Sequence, residues 1–247
     1  MRTFGLIGYP LSHSFSKKFF SEKFENEQIA GCAYELFPIE NAGSILDLIN
    51  ENPSLCGINV TIPHKLAVMP FINELDNAAA EIGAVNCIAI ERKNKEISLK
   101  GYNTDAYGFA ESLKPLLEKQ HQKALILGDG GAAKAVKYVL KQLGISYRVV
   151  VRKHAENTIH YDEVTAEILD EYKLLINTTP LGMSPNLESS PPIPYQHLTS
   201  QHLAYDLVYN PEETLFLTKA KAQGAQIKNG LEMLYLQAER SWYIWNA

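Results

Sequence analysis

The sequence predicts an α/β protein made of two α/β lobes, each with a mainly parallel sheet. Short apolar runs alternate with helical patterns almost from end to end, and this alternation restarts near Gly101. A glycine-rich turn follows one apolar run in the second half. A chain of 247 residues, 46% of them hydrophobic, is long enough to form two domains with a core each.

The first lobe reads as βαβαβ followed by a hairpin. Its predicted strands span residues 3–7, 33–37, 55–60, 87–90 and 97–100. Phe15, Phe19, Phe20 and Phe24 mark one face of the first helix, and further helical patterns cover 45–49 and 66–82, with a break at Pro70. This order indicates parallel strands with helices on both faces, and antiparallel strands at one edge.

The second lobe repeats the alternation. Its predicted strands span 123–127, 147–151, 173–176 and 203–208. The helices span 105–119, 132–143 and 214–224, and a last helix, 231–245, can pack on either lobe. No repeat or flexible linker separates the lobes, so the boundary rests on this pattern alone.

The charge and composition of the chain exclude some classes of binding partner. A net charge of −5 without any block of like charge argues against nucleic acid. No apolar stretch approaches the roughly 20 residues that span a bilayer, and the N-terminal apolar run is too short for a signal peptide. Cys32, Cys56 and Cys87 form no CxxC pair, so we expect buried free thiols, no metal and a cytoplasmic location.

The glycine-rich turn lies between a predicted strand and a predicted helix. Its residues, Gly128, Asp129, Gly130, Gly131, Ala132 and Ala133, fit G-x-G-x-x-A. In this pattern the glycines allow a tight turn and a close approach to a pyrophosphate, and the helix N-terminus faces the anion. It predicts a Rossmann-like dinucleotide site, with the Asp129 side chain pointing away; a plain glycine turn is the alternative.

The end of the next strand bears on which dinucleotide binds. An NAD site usually has an acidic residue there, whereas this chain has Val151, Arg152 and Lys153. Two cations suit the 2′-phosphate of NADP, and Arg152 can also lie over the adenine ring. We therefore expect NADP, with NAD or a solvated basic turn as the alternatives.

Polar side chains follow several predicted strands. They are Ser12, Ser14, Asn59, Thr61, Lys65, Asn86, Asn103 and Asp105. Taken singly, each has a structural explanation such as a helix cap or a turn. Taken together, hydroxyls, amides, one amine and one carboxylate suit a small polyhydroxylated acid, held in a cleft between the lobes.

Eight segments of the chain resemble the shikimate dehydrogenase family, in the family's order. They are GYPLSHSFS, NVTIPHK, IGAVNC, GYNTDAYGF, GDGGAAKA, INTTPLGM, DLVYNPEETLFLTKAKAQG and NGLEMLYLQAERSW. The resemblance implies a substrate-binding domain of residues 1–103 plus 230–247 and a Rossmann-like NADP-binding domain of residues 104–229. It also implies a soluble, cytoplasmic monomer or homodimer with a small-molecule substrate and no metal, nucleic acid or membrane partner.

The same resemblance assigns roles to residues. Ser12 and Ser14 would bind the substrate carboxylate, and the groups around the ring hydroxyls would be Asn59, Thr61, Lys65, Asn86, Asp105, Tyr209 and Gln237. The cofactor would contact Gly128, Gly130, Gly131, Ala132, Ala133, Arg152, Lys153, Thr178, Met183, Val208 and Gly230. Lys65 would be the general acid/base, aligned by Asp105.

The implied reaction is the reversible NADPH-dependent reduction of 3-dehydroshikimate to shikimate, in chorismate and aromatic amino-acid biosynthesis. The chain departs from the family's usual pattern in four places: at Lys17, at Ala106, in the segment 151–153, and at Glu156, which stands where a second phosphate-binding arginine is common. Alternatives are a quinate/shikimate dehydrogenase with NAD or dual cofactor use, an unrelated NADP reductase, and a non-catalytic regulatory module.

Overall fold

The computed structural model describes residues 1–11, 14–94, 96–153 and 155–247, so the predicted site residue Ser12 lies outside the described residues. The chain forms two compact units. Unit 1 contains Met1–Thr104 and Gln237–Ala247, and unit 2 contains Asp105–Leu236. The second boundary falls at 236/237, seven residues after the expected one at 229/230, because the last helix begins in unit 2 and ends in unit 1.

Unit 1 contains one six-stranded sheet. Its strands are β1 (Arg2–Gly8), β2 (Cys32–Pro38), β3 (Leu55–Val60), β4 (Glu74–Leu75), β5 (Cys87–Lys93) and β6 (Glu96–Tyr102), and its helices are α1 (Phe15–Asn26), α2 (Ile45–Glu51), α3 (His64–Ala67) and α4 (Asn77–Ile82). The strand order is β2-β1-β3-β5-β6-β4. The β1 strand pairs in parallel with β2 and β3, whereas β5 is antiparallel to β3 and β6.

Two apolar clusters cover the sheet of unit 1. One contains Ile45 and Ile49 of α2, and the other contains Phe20 of α1 and Trp245 of the C-terminal helix. The Trp245 ring lies directly on the backbone of β3, since a Cβ on Gly57 would come within 2.3 Å of its Nε1. A glycine in this strand therefore makes room for the C-terminal helix.

Unit 2 contains a second six-stranded sheet. Its strands are β7 (Lys123–Leu127), β8 (Ser146–Val151), β9 (Thr158–His160), β10 (Leu174–Asn177), β11 (Leu203–Asp206) and β12 (Gln226–Lys228), and the remaining helices are α5 (Thr104–Leu113), α6 (Gly131–Gln142), α7 (Ala166–Glu171), α8 (Leu215–Ala222) and α9 (Leu231–Trp245). All pairs are parallel, in the order β12-β11-β10-β7-β8-β9. Numbered from β7, this is the 3-2-1-4-5-6 order of doubly wound dinucleotide-binding sheets.

The predicted α/β class with two lobes is confirmed, and the differences are local. The helix predicted for 105–119 ends at Leu113, because Pro115 cannot continue it. Three short strands, β4, β9 and β12, carry too few residues to show a period and were missed. All three cysteines are free as predicted, but only Cys87 is fully buried; Cys32 and Cys56 are partly exposed.

Candidate active site

Several of the polar residues predicted for substrate binding, Asn59, Thr61, Lys65, Asn86 and Gln237, lie at or beside one edge of the sheet in unit 1. Parallel β1 and β3 end at this edge. Because β5 runs antiparallel, it begins there, and β6 ends there; Asn59 lies opposite Cys87, and Cys87 opposite Tyr102. The edge is also where the sheet changes winding direction, since the chain passes from β1 to β2 on one side and back to β3 on the other. Ligands of open α/β sheets bind at such a point.

Asn59, the last but one residue of β3, is buried and hydrogen-bonded at both ends of its carboxamide. Its Oδ1 accepts a hydrogen bond from the Tyr34 hydroxyl at 2.9 Å. Its Nδ2 donates to the Ser241 hydroxyl at 2.9 Å and to the Asn86 carbonyl at 3.3 Å. Asn59 therefore joins β2, β3, the start of β5 and helix α9.

Asn86 forms a second junction, with Thr104. Its Oδ1 accepts from the Thr104 backbone N–H at 2.6 Å, and its Nδ2 donates to Thr104 Oγ1 at 3.0 Å. Thr104 Oγ1 also donates to Gln237 Oε1 at 3.4 Å and lies 3.3 Å from Ser241 Oγ. Three predicted substrate contacts, Asn59, Asn86 and Gln237, thus belong to one hydrogen-bonded cluster.

Lys65 and Thr61 lie on the segment that leaves β3 at this edge. Thr61 N–H donates to the Ile7 carbonyl at 2.9 Å, so the segment starts beside β1. The Lys65 carbonyl accepts from Val85 N–H at 2.8 Å, which places short helix α3 next to the residue before Asn86. The Lys65 side chain is half-buried.

Ser14 precedes α1 and caps it. Its Oγ accepts a hydrogen bond from the Lys17 backbone N–H at 3.4 Å. The capping role, which was the structural alternative for this serine, is therefore present, and it leaves the hydroxyl proton available as a donor. The neighbouring Ser16 hydrogen-bonds the buried Tyr34 hydroxyl.

In unit 2 the glycine-rich turn connects β7 to α6, beside β10. Gly128 has φ +105°, and a Cβ there would come within 2.6 Å of Thr179 Cγ2, so this position requires glycine. A Cβ at Gly130 or Gly131 would meet no atom within 4 Å. Ala133, in the first turn of α6, is fully buried. The turn therefore leaves open space over its backbone and packs closely below, as a pyrophosphate site requires.

Asp129, within the glycine turn, forms an ion pair with Lys137 two helical turns further along α6. This pairing offsets the negative charge that otherwise opposes phosphate binding at the helix N-terminus. Arg152 and Lys153 are exposed immediately after β8, at the carboxyl edge of the same sheet. Their position is that expected for contacts with the adenosine end of a dinucleotide.

The remaining predicted cofactor residues also lie at the carboxyl edge of this sheet or in the loops that leave it. Thr178 Oγ1 donates to the carbonyls of Leu127 and Gly128, both at 3.1 Å. Gly230 packs against the chain after β11: its N–H donates to Val208 at 3.1 Å, and a Cβ there would lie 2.2 Å from the Leu207 oxygen. Met183 is exposed in the loop after β10. Of the predicted substrate contacts, Tyr209 is exposed after β11, and Asp105 lies in the first turn of α5.

The sequence patterns missed a buried carboxylate, Asp206, at the end of β11. Its Oδ1 accepts from Asn177 Nδ2 at 2.9 Å and from Val208 N–H at 3.0 Å, and its Oδ2 accepts from Thr214 at 2.6 Å. Asn177 in turn accepts from the Thr179 hydroxyl at 2.6 Å. This network ties together the loops after β10 and β11. The only sequence signal was an acidic residue ending an apolar strand.

Burial raises the pKa of Asp206 to about 6, against the three hydrogen bonds that lower it. Between about pH 4 and pH 6 the folded protein binds a proton that the unfolded chain releases. The free energy of unfolding should therefore fall as the pH rises through this interval, by up to about 3 kcal/mol.

Replacing Asp206 with asparagine should remove this contribution. Burial lowers the pKa of His121 and His202, which gives the opposite slope, so the quantity to measure is the difference between wild type and Asp206→Asn. Urea unfolding from pH 4 to pH 8 would provide it. A difference that stays constant with pH would contradict the raised pKa.

Among the described residues, no group of three or more His, Cys, Asp or Glu side chains is placed to hold a metal ion. No helix within the described ranges is both long and apolar enough to cross a membrane.

The fold and the two strand edges define a class of protein. Unit 2 is a doubly wound dinucleotide-binding sheet with an open glycine turn, and unit 1 presents hydroxyls, amides and an amine at its own switch point. That combination is typical of nicotinamide-dependent oxidoreductases that act on small polar substrates.

Comparison with known proteins identifies the family. Residues 6–88 match the model of the shikimate dehydrogenase substrate binding domain. A shikimate dehydrogenase (NADP(+)) of Clostridium beijerinckii is 40% identical over 255 residues, covering 99% of this chain and 92% of the relative. The chain belongs to the shikimate dehydrogenase family.

Two solved structures extend the similarity to the whole chain. A chorismate mutase/shikimate 5-dehydrogenase fusion protein from Clostridium acetobutylicum superposes with a TM-score of 0.86 at 34% identity, covering 100% of this chain and 91% of the other. Shikimate 5-dehydrogenase from Thermus thermophilus, in complex with NADP(H) and shikimate, superposes with a TM-score of 0.84 at 30% identity, covering 99% of this chain and 93% of the other.

Proposed function

We propose that this protein catalyses the reversible, NADPH-dependent reduction of 3-dehydroshikimate to shikimate, in chorismate and aromatic amino-acid biosynthesis. The observation that supports this most strongly is the hydrogen-bonded cluster of Asn59, Asn86 and Gln237 at the switch point of unit 1. It gathers carboxamides that suit a ring with several hydroxyl groups. The Thermus thermophilus relative holds NADP(H) and shikimate, and we assign the same ligands to this chain.

The substrate carboxylate is assigned to the start of α1. Ser14 accepts a hydrogen bond from Lys17 N–H and keeps its own proton for the carboxylate. The N-terminus of this 12-residue helix favours an anion. Ser12 remains the second predicted contact.

Lys65 is assigned as the general acid/base. NADPH supplies the hydride, and the carbonyl oxygen must then gain a proton as negative charge develops on it. The Lys65 ammonium stabilises that charge by a hydrogen bond and delivers the proton. Asp105, in the first turn of α5, is assigned to orient Lys65 and the reacting hydroxyl. Asn59, Thr61, Asn86, Tyr209 and Gln237 complete the substrate contacts.

The cofactor is assigned to the carboxyl edge of the sheet in unit 2. Gly128, Gly130, Gly131, Ala132 and Ala133 would hold the pyrophosphate, and Arg152 and Lys153 the 2′-phosphate. Thr178, Met183, Val208 and Gly230 would border the nicotinamide. The open backbone at Gly130 and Gly131 fits this assignment.

A direct assay tests the function. Purified protein is mixed with shikimate or quinate, each with NADP or NAD, and cofactor reduction is followed by absorbance. We expect rapid reduction with shikimate and NADP, and slower reduction in the other three mixtures. No reduction in any mixture would favour a non-catalytic module, and equal rates with quinate would favour the quinate/shikimate alternative.

The assigned compartment is the cytoplasm, with the protein a monomer or homodimer. Its three cysteines are free, which fits a reducing environment. Size-exclusion chromatography with light scattering would distinguish the two oligomeric states.

A further inference from the structure

The hydroxyl of Ser241 lies at the centre of the polar cluster in unit 1. Ser241 is fully buried on α9. It accepts from Asn59 Nδ2 at 2.9 Å, donates to the Gln237 carbonyl at 2.9 Å, and lies 3.3 Å from Thr104 Oγ1. The Ser241 hydroxyl thus contacts Asn59 at the end of β3, Thr104 after β6, and the backbone of Gln237 on its own helix.

The orientation of the Asn59 carboxamide follows from its partners. Nδ2 has two hydrogens, and two acceptors surround it, Ser241 Oγ and the Asn86 carbonyl. Oδ1 faces the Tyr34 hydroxyl, which must donate to it. Burial raises the pKa of Tyr34 well above its usual value, so the phenol keeps this proton. A flipped amide would set Oδ1 against the Asn86 carbonyl oxygen, which has no hydrogen to donate, and against the Ser241 hydroxyl, whose proton already goes to the Gln237 carbonyl.

We propose that Ser241 is a positioning residue of the substrate site: its hydroxyl, opposite that of Tyr34, fixes the Asn59 carboxamide so that Asn59 offers the substrate only its oxygen, as an acceptor. Both N–H groups of Asn59 are engaged within the described residues, and only Oδ1 retains a lone pair. The substrate group at Asn59 must therefore be a hydrogen-bond donor.

This inference rests on the proposed function and sharpens it. A ketone oxygen carries no hydrogen and would be repelled by Asn59 Oδ1. Asn59 therefore contacts a ring hydroxyl that is present in both the oxidised and the reduced substrate. The oxygen that changes between ketone and alcohol must find its donors elsewhere.

Ser241→Ala removes the hydroxyl and leaves the helix intact. Without it, Asn59 Nδ2 loses the shorter of its two hydrogen bonds and keeps only the 3.3 Å bond to the Asn86 carbonyl, so its carboxamide is held less firmly against the substrate. We expect the KM for shikimate to rise about tenfold, with a smaller fall in kcat, because an unpaired buried polar group costs that order of binding energy. The KM for NADP should not change.

Ser112→Ala is the matched control. Ser112 is also a buried helical serine, whose hydroxyl donates to the carbonyl four residues earlier, at 2.8 Å, and lies 2.6 Å from the Tyr205 hydroxyl. Its partners are in unit 2, outside the carboxamide cluster. It should lower the thermal midpoint about as much as Ser241→Ala and leave the KM for shikimate at the wild-type value.

Tyr34→Phe provides a second test of the same amide. The ring stacks on Phe20 at 4.5 Å, so phenylalanine keeps the packing and removes the hydroxyl with its hydrogen bonds to Asn59 and Ser16. It should also raise the KM for shikimate. Because both hydroxyls act through one carboxamide, the double variant with Ser241→Ala should raise KM by less than the product of the single effects.

Wild-type reduction of NADP by shikimate is measured first, and its absence would refute the proposed function together with this inference. With that activity present, an unchanged KM in Ser241→Ala refutes the positioning role alone. An equal rise in Ser112→Ala, or independent effects of Ser241→Ala and Tyr34→Phe, would also refute it.

Discussion

Replacing Lys65 with alanine should lower kcat for shikimate oxidation about 10³-fold while changing the KM for shikimate far less. The ammonium is the proposed proton donor to the developing alkoxide, so its loss removes an interaction that is strongest in the transition state. Steady-state rates in both directions, with a tryptophan fluorescence check of folding, would measure the effect. A Lys65→Ala enzyme with near-normal turnover would rule out the assignment.

Two further variants separate charge from proton transfer. Lys65→Arg keeps a positive charge, but a guanidinium does not release a proton at ordinary pH, so it should remain nearly as slow as alanine. Lys93→Ala removes a lysine of the same unit whose side chain is 82% exposed and paired with Glu91. That control should retain wild-type kcat.

Replacing Arg152 with alanine should lower kcat/KM for NADP about 30- to 100-fold and leave the value for NAD nearly unchanged. A guanidinium makes charge-assisted hydrogen bonds to a phosphate, each contributing about 1.5–3 kcal/mol, and only NADP carries the 2′-phosphate. Initial rates with each cofactor at saturating shikimate would give both values. The ratio of the two values, which measures cofactor preference, should fall accordingly.

Arg148→Ala is the control for this experiment. Arg148 lies on β8, four residues before Arg152, and its guanidinium is 5.6 Å from the Tyr172 ring centroid. Its removal should leave cofactor preference intact. If Arg152→Ala weakened NADP and NAD equally, Arg152 would instead be a contact of the adenine ring, which both cofactors share. Lys153→Ala should show a smaller loss confined to NADP, since its ammonium is a single flexible point charge.

Local patterns predicted most of the framework. The strand 55–60 and the helix 231–245 have the predicted bounds, because a continuous apolar run and a helical stripe are properties of neighbouring residues. The glycine turn could also be predicted from the sequence. Glycine is needed at Gly128 and a small residue at Ala133 because of the strand and helix on either side of the turn, which are neighbours in the chain.

The hydrogen bonds between segments that are distant in the chain could not be predicted from the sequence. Asn59 and Ser241 are 182 residues apart, and Tyr34 and Asn59 are 25 apart. A serine in an amphipathic helix and a tyrosine in a strand have no local feature that shows which polar group each will meet. Their roles depend on where α9 packs, which Gly57 and Trp245 decide by close contact.

By itself, therefore, the sequence determined the two α/β lobes, the dinucleotide turn and the residue types available to a substrate, because short-range periodicity and motif spacing carry that information. Only the tertiary structure decided which of these groups share hydrogen bonds. It made Asn59 an acceptor by occupying both of its N–H groups, and it placed Asp206 where burial raises its pKa. Hydrogen bonding and desolvation depend on the atoms that surround a group, and folding alone brings those atoms together.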